Sequence, residues 1–278
     1  RTGATLVPPF DDLRTMAGQG TIAAEILDEL GQEPDLVIVP VGGGGCIAGI
    51  TTYLAERTAK TAVLGVEPAG AAAMMAALAA GEPVTLEHVD QFVDGAAVNR
   101  AGTLTYAVLA SAGDMVSVTT VDEGAVCTAM LDLYQNEGII AEPAGALSVT
   151  ALRENDVVAP GSTVVCLISG GNNDVSRYGE ILERSLVHLG LKHYFLVNFP
   201  QEPGALRRFL DQVLGPNDDI TLFEYVKRNN RETGAALVGV ELGSAEDYDG
   251  LLARMEFSDM EVEVLAPHSP AYRYLINP

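Results

Sequence analysis

The chain has 278 residues, of which 38 are acidic and 16 basic, so it carries a formal net charge of −22, and 48% of its residues are hydrophobic. A surface so negative repels nucleic acid and anionic membranes, which excludes functions that need a basic face. No run of 18 apolar residues occurs and the opening Arg1–Phe10 lacks the zones of a secretion signal, so neither a membrane span nor export is expected.

In chain order, β-branched runs alternate with helical ones through about residue 186, the pattern of a parallel sheet covered by helices. Strands are expected at Thr5–Val7, Asp35–Val41, Ala62–Val66, Met115–Thr119 and Ser162–Ile168. Helices are expected at Gly20–Leu30, Cys46–Arg57, Ala71–Ala80, Thr103–Ala112, Val121–Glu137, Ala144–Glu154 and Asp174–Leu189. In the fifth helix Val126, Met130, Leu133 and Tyr134 recur at helical spacing and should bury one face, while Asp122 and Glu123 suit its positive end.

After Gly190 the character changes. A strand His193–Phe199, a helix Pro203–Leu214, strands Ile220–Lys227 and Ala235–Leu242, a helix Ala245–Met255 and a strand Glu261–Leu265 give the order β-α-β-β-α-β, a unit able to fold by itself. The boundary is placed at Leu189–Lys192, dividing the chain into residues 1–189 and 190–278. The cysteines Cys46, Cys127 and Cys166 sit in apolar settings and read as small buried residues of a reducing cytoplasm.

The most informative feature is Gly42-Gly43-Gly44-Gly45, where the apolar strand hands over to a helix. Glycine lets backbone N–H groups approach a ligand, and a helix start adds unpaired donors, so a phosphate is the expected guest. Three kinds of phosphate loop compete. A nucleoside-triphosphate loop fails, because Cys46-Ile47-Ala48 follow where lysine is needed. A dinucleotide loop remains open, since Gly43 to Ala48 fits G-x-G-x-x-[GA] and Glu67 ends the next strand where a ribose-binding acid belongs. The third, pyridoxal phosphate, is favoured by a second glycine corner, Ser169-Gly170-Gly171-Asn172, after another apolar strand: both corners lie at carboxyl ends of strands and can face one crevice.

Five segments, Pro40–Gly49, Gly65-Val-Glu-Pro68, Phe92–Val98, Ala141-Glu-Pro-Ala-Gly-Ala146 and Ser169-Gly-Gly-Asn172, resemble in order and spacing the fold-type II pyridoxal-phosphate enzymes, and among these the threonine dehydratases. Val7-Pro-Pro-Phe-Asp11 and Gly18-Gln-Gly-Thr21 extend the likeness, and Phe199–Leu206 is similar to the entry of an ACT-like regulatory domain. The resemblance implies an α/β fold, a three-layer sheet of the tryptophan synthase β-like kind followed by a βαββαβ ACT-like domain. It implies pyridoxal 5'-phosphate as cofactor, with Gly42, Gly43, Gly44, Gly45 and Cys46 giving backbone donors to its phosphate. Cys46 departs from the family's leucine, which backbone binding should tolerate. Gly95 matches the backbone lining the ring, and Ser169 the serine that donates to the pyridine nitrogen.

The family's Schiff-base lysine lies in a Ser-x-Lys-x-Arg-Gly segment that precedes the matched stretch. The lysines present are Lys60, Lys192 and Lys227, none suited to the role, so no catalytic residue is expected here and the chain reads as the carboxyl-terminal portion of a longer enzyme. For that enzyme the resemblance implies deamination of L-threonine to 2-oxobutanoate and ammonia, with serine as a second candidate substrate, inhibition by isoleucine, and a cytoplasmic homotetramer. An amino-acid-sensing fragment without catalysis and an NAD-dependent oxidoreductase are the alternatives.

Plainer readings stand beside these. Ser169 could cap a helix, as could Asn172 or Asp174. Glu67 could be a solvated strand end or part of a cation site, but Ala71-Ala72-Ala73 offer no second acid, and no metal is expected. Glu142 could pair at a helix start, Asp94 orient a turn, Arg207 and Arg208 be solvated, and Asn217–Asp219 form a polar loop. His88, His188, His193 and His268 have no ligand spacing.

Overall fold

The structure is a computed structural model that describes residues 3–154, 158–225, 232–258, 260–267, 269 and 272. The chain divides into two compact units, Arg1–Tyr178 and Gly179–Pro278.

In the first unit the elements run α1 (Leu13–Leu30), β1 (Leu36–Pro40), α2 (Gly45–Arg57), β2 (Ala62–Pro68), α3 (Ala73–Ala80), α4 (Thr103–Ser111), β3 (Val116–Val121), α5 (Glu123–Glu137), α6 (Pro143–Glu154) and β4 (Val164–Cys166). The strands form one parallel sheet in the order β3-β2-β1-β4, with Leu36 opposite both Ala62 and Val164. Such a sheet needs cover on both faces, and β1 is apolar throughout for that reason. Val37, Val39 and Val41 cluster with Ile47, Ile50 and Leu54 of α2. The alternating, fully buried Ile38 points to the opposite face, and α6 also packs on β1.

Several boundaries differ from the sequence expectation for local reasons. Residues 5–7 form no strand, and Leu6 and Val7 are largely exposed. Helix α1 begins at Leu13 rather than Gly20 because the Asp12 carboxylate accepts the Arg14 N–H at 2.8 Å. Asp122 caps α5 through the Gly124 and Ala125 N–H groups. On α5, Val126, Met130 and Leu133 are buried as expected, but Tyr134 is exposed. Strand β4 is three residues, Val164–Cys166, shorter than the expected Ser162–Ile168.

Then follow α7 (Tyr178–His188), β5 (Lys192–Pro200), α8 (Ala205–Val213), β6 (Asp219–Tyr225), β7 (Thr233–Glu241), α9 (Tyr248–Phe257) and β8 (Glu261–Leu265). The strands form an antiparallel sheet ordered β6-β7-β5-β8, with an irregularity between Ile220 and Leu222. Alternation along β5 turns Phe195, Val197 and Phe199 toward Phe209 of α8 and Leu251 and Met255 of α9. The contact boundary falls ahead of most of α7, and Glu183 ties this helix to β5 by accepting from Lys192 Nζ and the Tyr194 hydroxyl.

Asp218 is not part of a solvated loop: its side chain is 3% exposed and accepts from the Gly215 N–H at 2.6 Å and Arg254 at 3.0 Å. Arg208 pairs with Glu202, whereas Arg207 is exposed. Among the described residues no helix is long and apolar enough to cross a membrane.

Candidate cofactor site

At the end of β1 the Val41 N–H still donates to Val66 O at 2.8 Å, and the chain then turns through Gly42–Gly45 into α2. Gly44 is the N-cap of α2, at φ 90°, a left-handed conformation that only glycine takes at little cost. It supplies no capping side chain, so the first-turn amides of α2 receive none of the usual side-chain cap. Thr105, fully buried on α4, donates its hydroxyl to Gly43 O at 2.7 Å, and the Gly102 N–H bonds the same oxygen at 3.2 Å. Helix α4 is in turn fixed by Asp11, whose carboxylate accepts the Thr103 and Leu104 N–H groups at 3.0 and 2.8 Å.

The second corner is pinned by β1, by α6 and by the residue that precedes α6. Leu167 N–H donates to Ile38 O at 3.0 Å, the Ser148 hydroxyl to Leu167 O at 2.7 Å, and the Glu142 N–H to Gly170 O at 3.0 Å. Ser169 does not cap the helical turn that follows; Asp174 does, accepting the Ser176 N–H at 2.9 Å. The third wall is the turn at Gly95, whose N–H is taken by Asp94 Oδ1 at 2.9 Å.

These walls enclose one cavity of about 500 Å³, lined by Gly42, Gly43, Gly44, Gly45, Cys46, Gly95 and Ser169 together with Phe10, Ala96, Glu142 and Ile168. All seven residues singled out from sequence therefore border a single space. Glu142 is the one charged residue among the described lining. Burial pushes the Cys46 thiol up to about 11, so it is neutral and leaves anion binding to the backbone. A donor-rich, uncapped helix start beside the neutral Cys46 thiol fits a phosphate at one end, and the Gly95 and Ser169 walls fit a planar ring at the other.

Glu67 belongs to neither a solvated strand end nor a ribose site. It is fully buried, does not line the cavity, and accepts the Met74 and Met75 N–H groups at 2.7 and 2.8 Å at the start of α3. Burial raises its carboxyl from 4.5 to about 7, against the lowering effect of these amides. Because the folded state binds this proton more tightly than the unfolded one, the stabilisation is complete below about pH 4.5 and is lost as pH rises through about 7. Relative to Glu67→Gln, the unchanged protein is expected to lose up to about 1.4 kcal/mol per pH unit inside that window. Denaturant unfolding of both proteins from pH 4.5 to 8 checks this; parallel profiles would refute it.

Among the described residues no group of three or more His, Cys, Asp or Glu gathers to hold a metal. Cys127 is buried, while Cys46 and Cys166 are partly buried. His88 is exposed, His188 ends α7, His193 stacks on Tyr248 at 3.9 Å, and His268 lies outside the described residues, as does Lys227. The supporting roles of Thr105 and Asp11 leave no local signal in the sequence: the segment holding Asp11 carries a motif, but its partners lie more than 90 positions away.

Residues 1–170 match the family model described as pyridoxal-phosphate dependent enzyme, and residues 183–275 match the C-terminal regulatory domain of threonine dehydratase. The chain is 87% identical over 276 residues to the L-threonine dehydratase biosynthetic IlvA of Mycobacterium tuberculosis, covering 99% of this chain and 64% of that protein. It is 63% identical over 278 residues to the protein of the same name from Corynebacterium glutamicum, again covering 99% of this chain and 64% of the relative, so it spans less than two thirds of either relative's length. A solved structure of the processed form of threonine deaminase isoform 2 from Solanum lycopersicum aligns with a TM-score of 0.60 at 33% identity, over 66% of this chain and 53% of that one. On the family model that spans most of its length, the chain belongs to the pyridoxal-phosphate dependent enzymes, and it joins to that fold a regulatory domain of the threonine dehydratase kind.

Proposed function

We propose that this chain is the cofactor-holding and regulatory portion of an L-threonine dehydratase that yields 2-oxobutanoate and ammonia. The observation that carries the reading is the meeting of the Gly42–Cys46 corner, Gly95 and Ser169 around one cavity. The amides of Gly42–Cys46 hold the cofactor phosphate, the Gly95 turn lies against the ring, and Ser169 donates to the ring nitrogen. Bound there, pyridoxal phosphate supplies an electron sink for loss of the substrate Cα proton and departure of the β-hydroxyl. Ser169, a neutral donor, does not fix a proton on that nitrogen, which favours β-elimination over transamination. Leu167 and Ile168 give the wall beside Ser169 an apolar lining.

No lysine lines the cavity among the described residues: Lys60 is exposed beyond the end of α2, and Lys192 opens β5 paired with Glu183. The reading therefore assigns the Schiff-base lysine to a polypeptide of the relatives' length and assigns this chain no turnover alone. It also gives the second unit an amino-acid effector, isoleucine, and the enzyme a homotetrameric assembly in the cytoplasm. The test uses both lengths. The longer protein is expected to form 2-oxobutanoate from L-threonine, dependent on pyridoxal phosphate and inhibited by isoleucine, while the 278-residue chain gives an isoleucine binding heat without turnover. Turnover by the chain itself, or a longer protein inert toward threonine and serine, would refute it.

A further inference from the structure

Arg177 directs its guanidinium to one loop, and that loop is a wall of the cavity. It sits on the single helical turn Val175–Arg177, eight positions after Ser169. Its Nη2 donates to the carbonyl of Phe92 at 2.6 Å, its Nη1 lies 3.6 Å from Asp94 Oδ2, and its guanidinium stands 4.9 Å over the Phe92 ring. Phe92 is 5% exposed, so the carbonyl bond and the ring contact are largely screened from water. The Asp94 pair is more open and contributes less. Asp94 nevertheless gains a defined orientation, because its other oxygen holds the Gly95 N–H at 2.9 Å.

Local bonds shape Phe92–Gly95: Asp90 Oδ1 takes the Phe92 N–H at 2.8 Å, and Val93 O takes the Ala96 N–H at 2.9 Å. The turn also packs closely on α6, where a Cβ on Gly95 would stand 2.9 Å from Ala144 Cβ. Arg177 adds a directional tie to this packing, since it follows the Ser169 corner in the chain and grips the turn that leads into Gly95 and Ala96. From this we propose that Arg177 is a positioning residue that sets the spacing between the Gly95 and Ser169 walls and so the width of the slot for the cofactor ring. The inference rests on the cofactor reading of the cavity. The planar fork matters as well as the charge, because lysine cannot bond a carbonyl, face a carboxylate and cover a ring from one position.

The probe is pyridoxine 5'-phosphate, which has the ring and phosphate of the cofactor but no aldehyde, so it reads the slot without a Schiff-base lysine. Inorganic phosphate reads the Gly42–Cys46 end alone. Arg177→Ala is expected to weaken pyridoxine 5'-phosphate about tenfold and change the induced circular dichroism of the bound ring, with inorganic phosphate binding unchanged. Arg177→Lys is expected to recover part of the affinity, and amides 93–97 to exchange faster in both variants. An Arg177→Ala protein with unaltered ring affinity and dichroism would overturn the proposal while leaving the cofactor reading intact. Loss of both probes together in both variants would make Arg177 a general folding residue and also overturn it. Failure of the unchanged protein to bind pyridoxine 5'-phosphate would overturn the cofactor reading and the proposal with it.

Discussion

Replacing Gly44 with valine is expected to lower affinity for pyridoxine 5'-phosphate by about a hundredfold. Gly44 has φ 90°, and a residue with a Cβ is strained there by about 1–2 kcal/mol, a β-branched one by more. The added Cβ would also stand 2.5 Å from Met74 Cε and 2.9 Å from Thr105 Oγ1. Met74 can give at its flexible end, but Thr105 is buried and holds Gly43 O, so the clash falls on the bond that orients the loop. A lost buried hydrogen bond adds about 1–3 kcal/mol. The cheapest relief is rotation of the peptide before residue 44, which turns amides away from the cavity. Equilibrium titration measures the effect; a change under about threefold would mean that the loop's conformation is not what binds the phosphate.

The largest effect on stability is expected at Gly49. A Cβ there would lie 2.2 Å from Met16 O and 2.7 Å from Gly20 N, both backbone atoms of α1. Neither can move without shifting the whole helix, so α1 and α2 must separate. Helix propensity alone predicts that Gly49→Ala stabilises α2 by about 1 kcal/mol, whereas overpacking in the upper part of its usual range costs about 3 kcal/mol. The two effects have opposite signs, which makes the variant decisive. Its thermal midpoint is expected to fall by about 4–8 °C for a net loss near 2 kcal/mol in a unit of this size. A midpoint that rises would show that the two helices do not cross this closely.

What could be read from sequence was local. The Gly42–Gly45 run, the Ser169-Gly170-Gly171 corner and the change of character after Gly190 are each contiguous, and each marks an element boundary in the structure. The meeting of the two corners followed from the rule that parallel strands open their carboxyl ends to one crevice. The supports were hidden because their partners are distant in sequence. Thr105 bonds a carbonyl 62 positions away, Asp11 caps a helix 92 and 93 positions on, and Arg177 reaches back 85. Helical spacing placed Tyr134 on the buried face with Leu133, but only one of these neighbours can point inward there, and Leu133 does. Glu67 looked like a ligand acid because it ends a strand; its burial under the start of α3 depends on a chain reversal that composition does not reveal.

The most direct measurement is the structure of the protein crystallised with pyridoxine 5'-phosphate. The phosphate is expected within hydrogen-bond distance of the Gly42–Cys46 amides, the ring against Gly95, and the ring nitrogen facing the Ser169 hydroxyl. A phosphate seated elsewhere, or a ring whose nitrogen points away from Ser169, would contradict it.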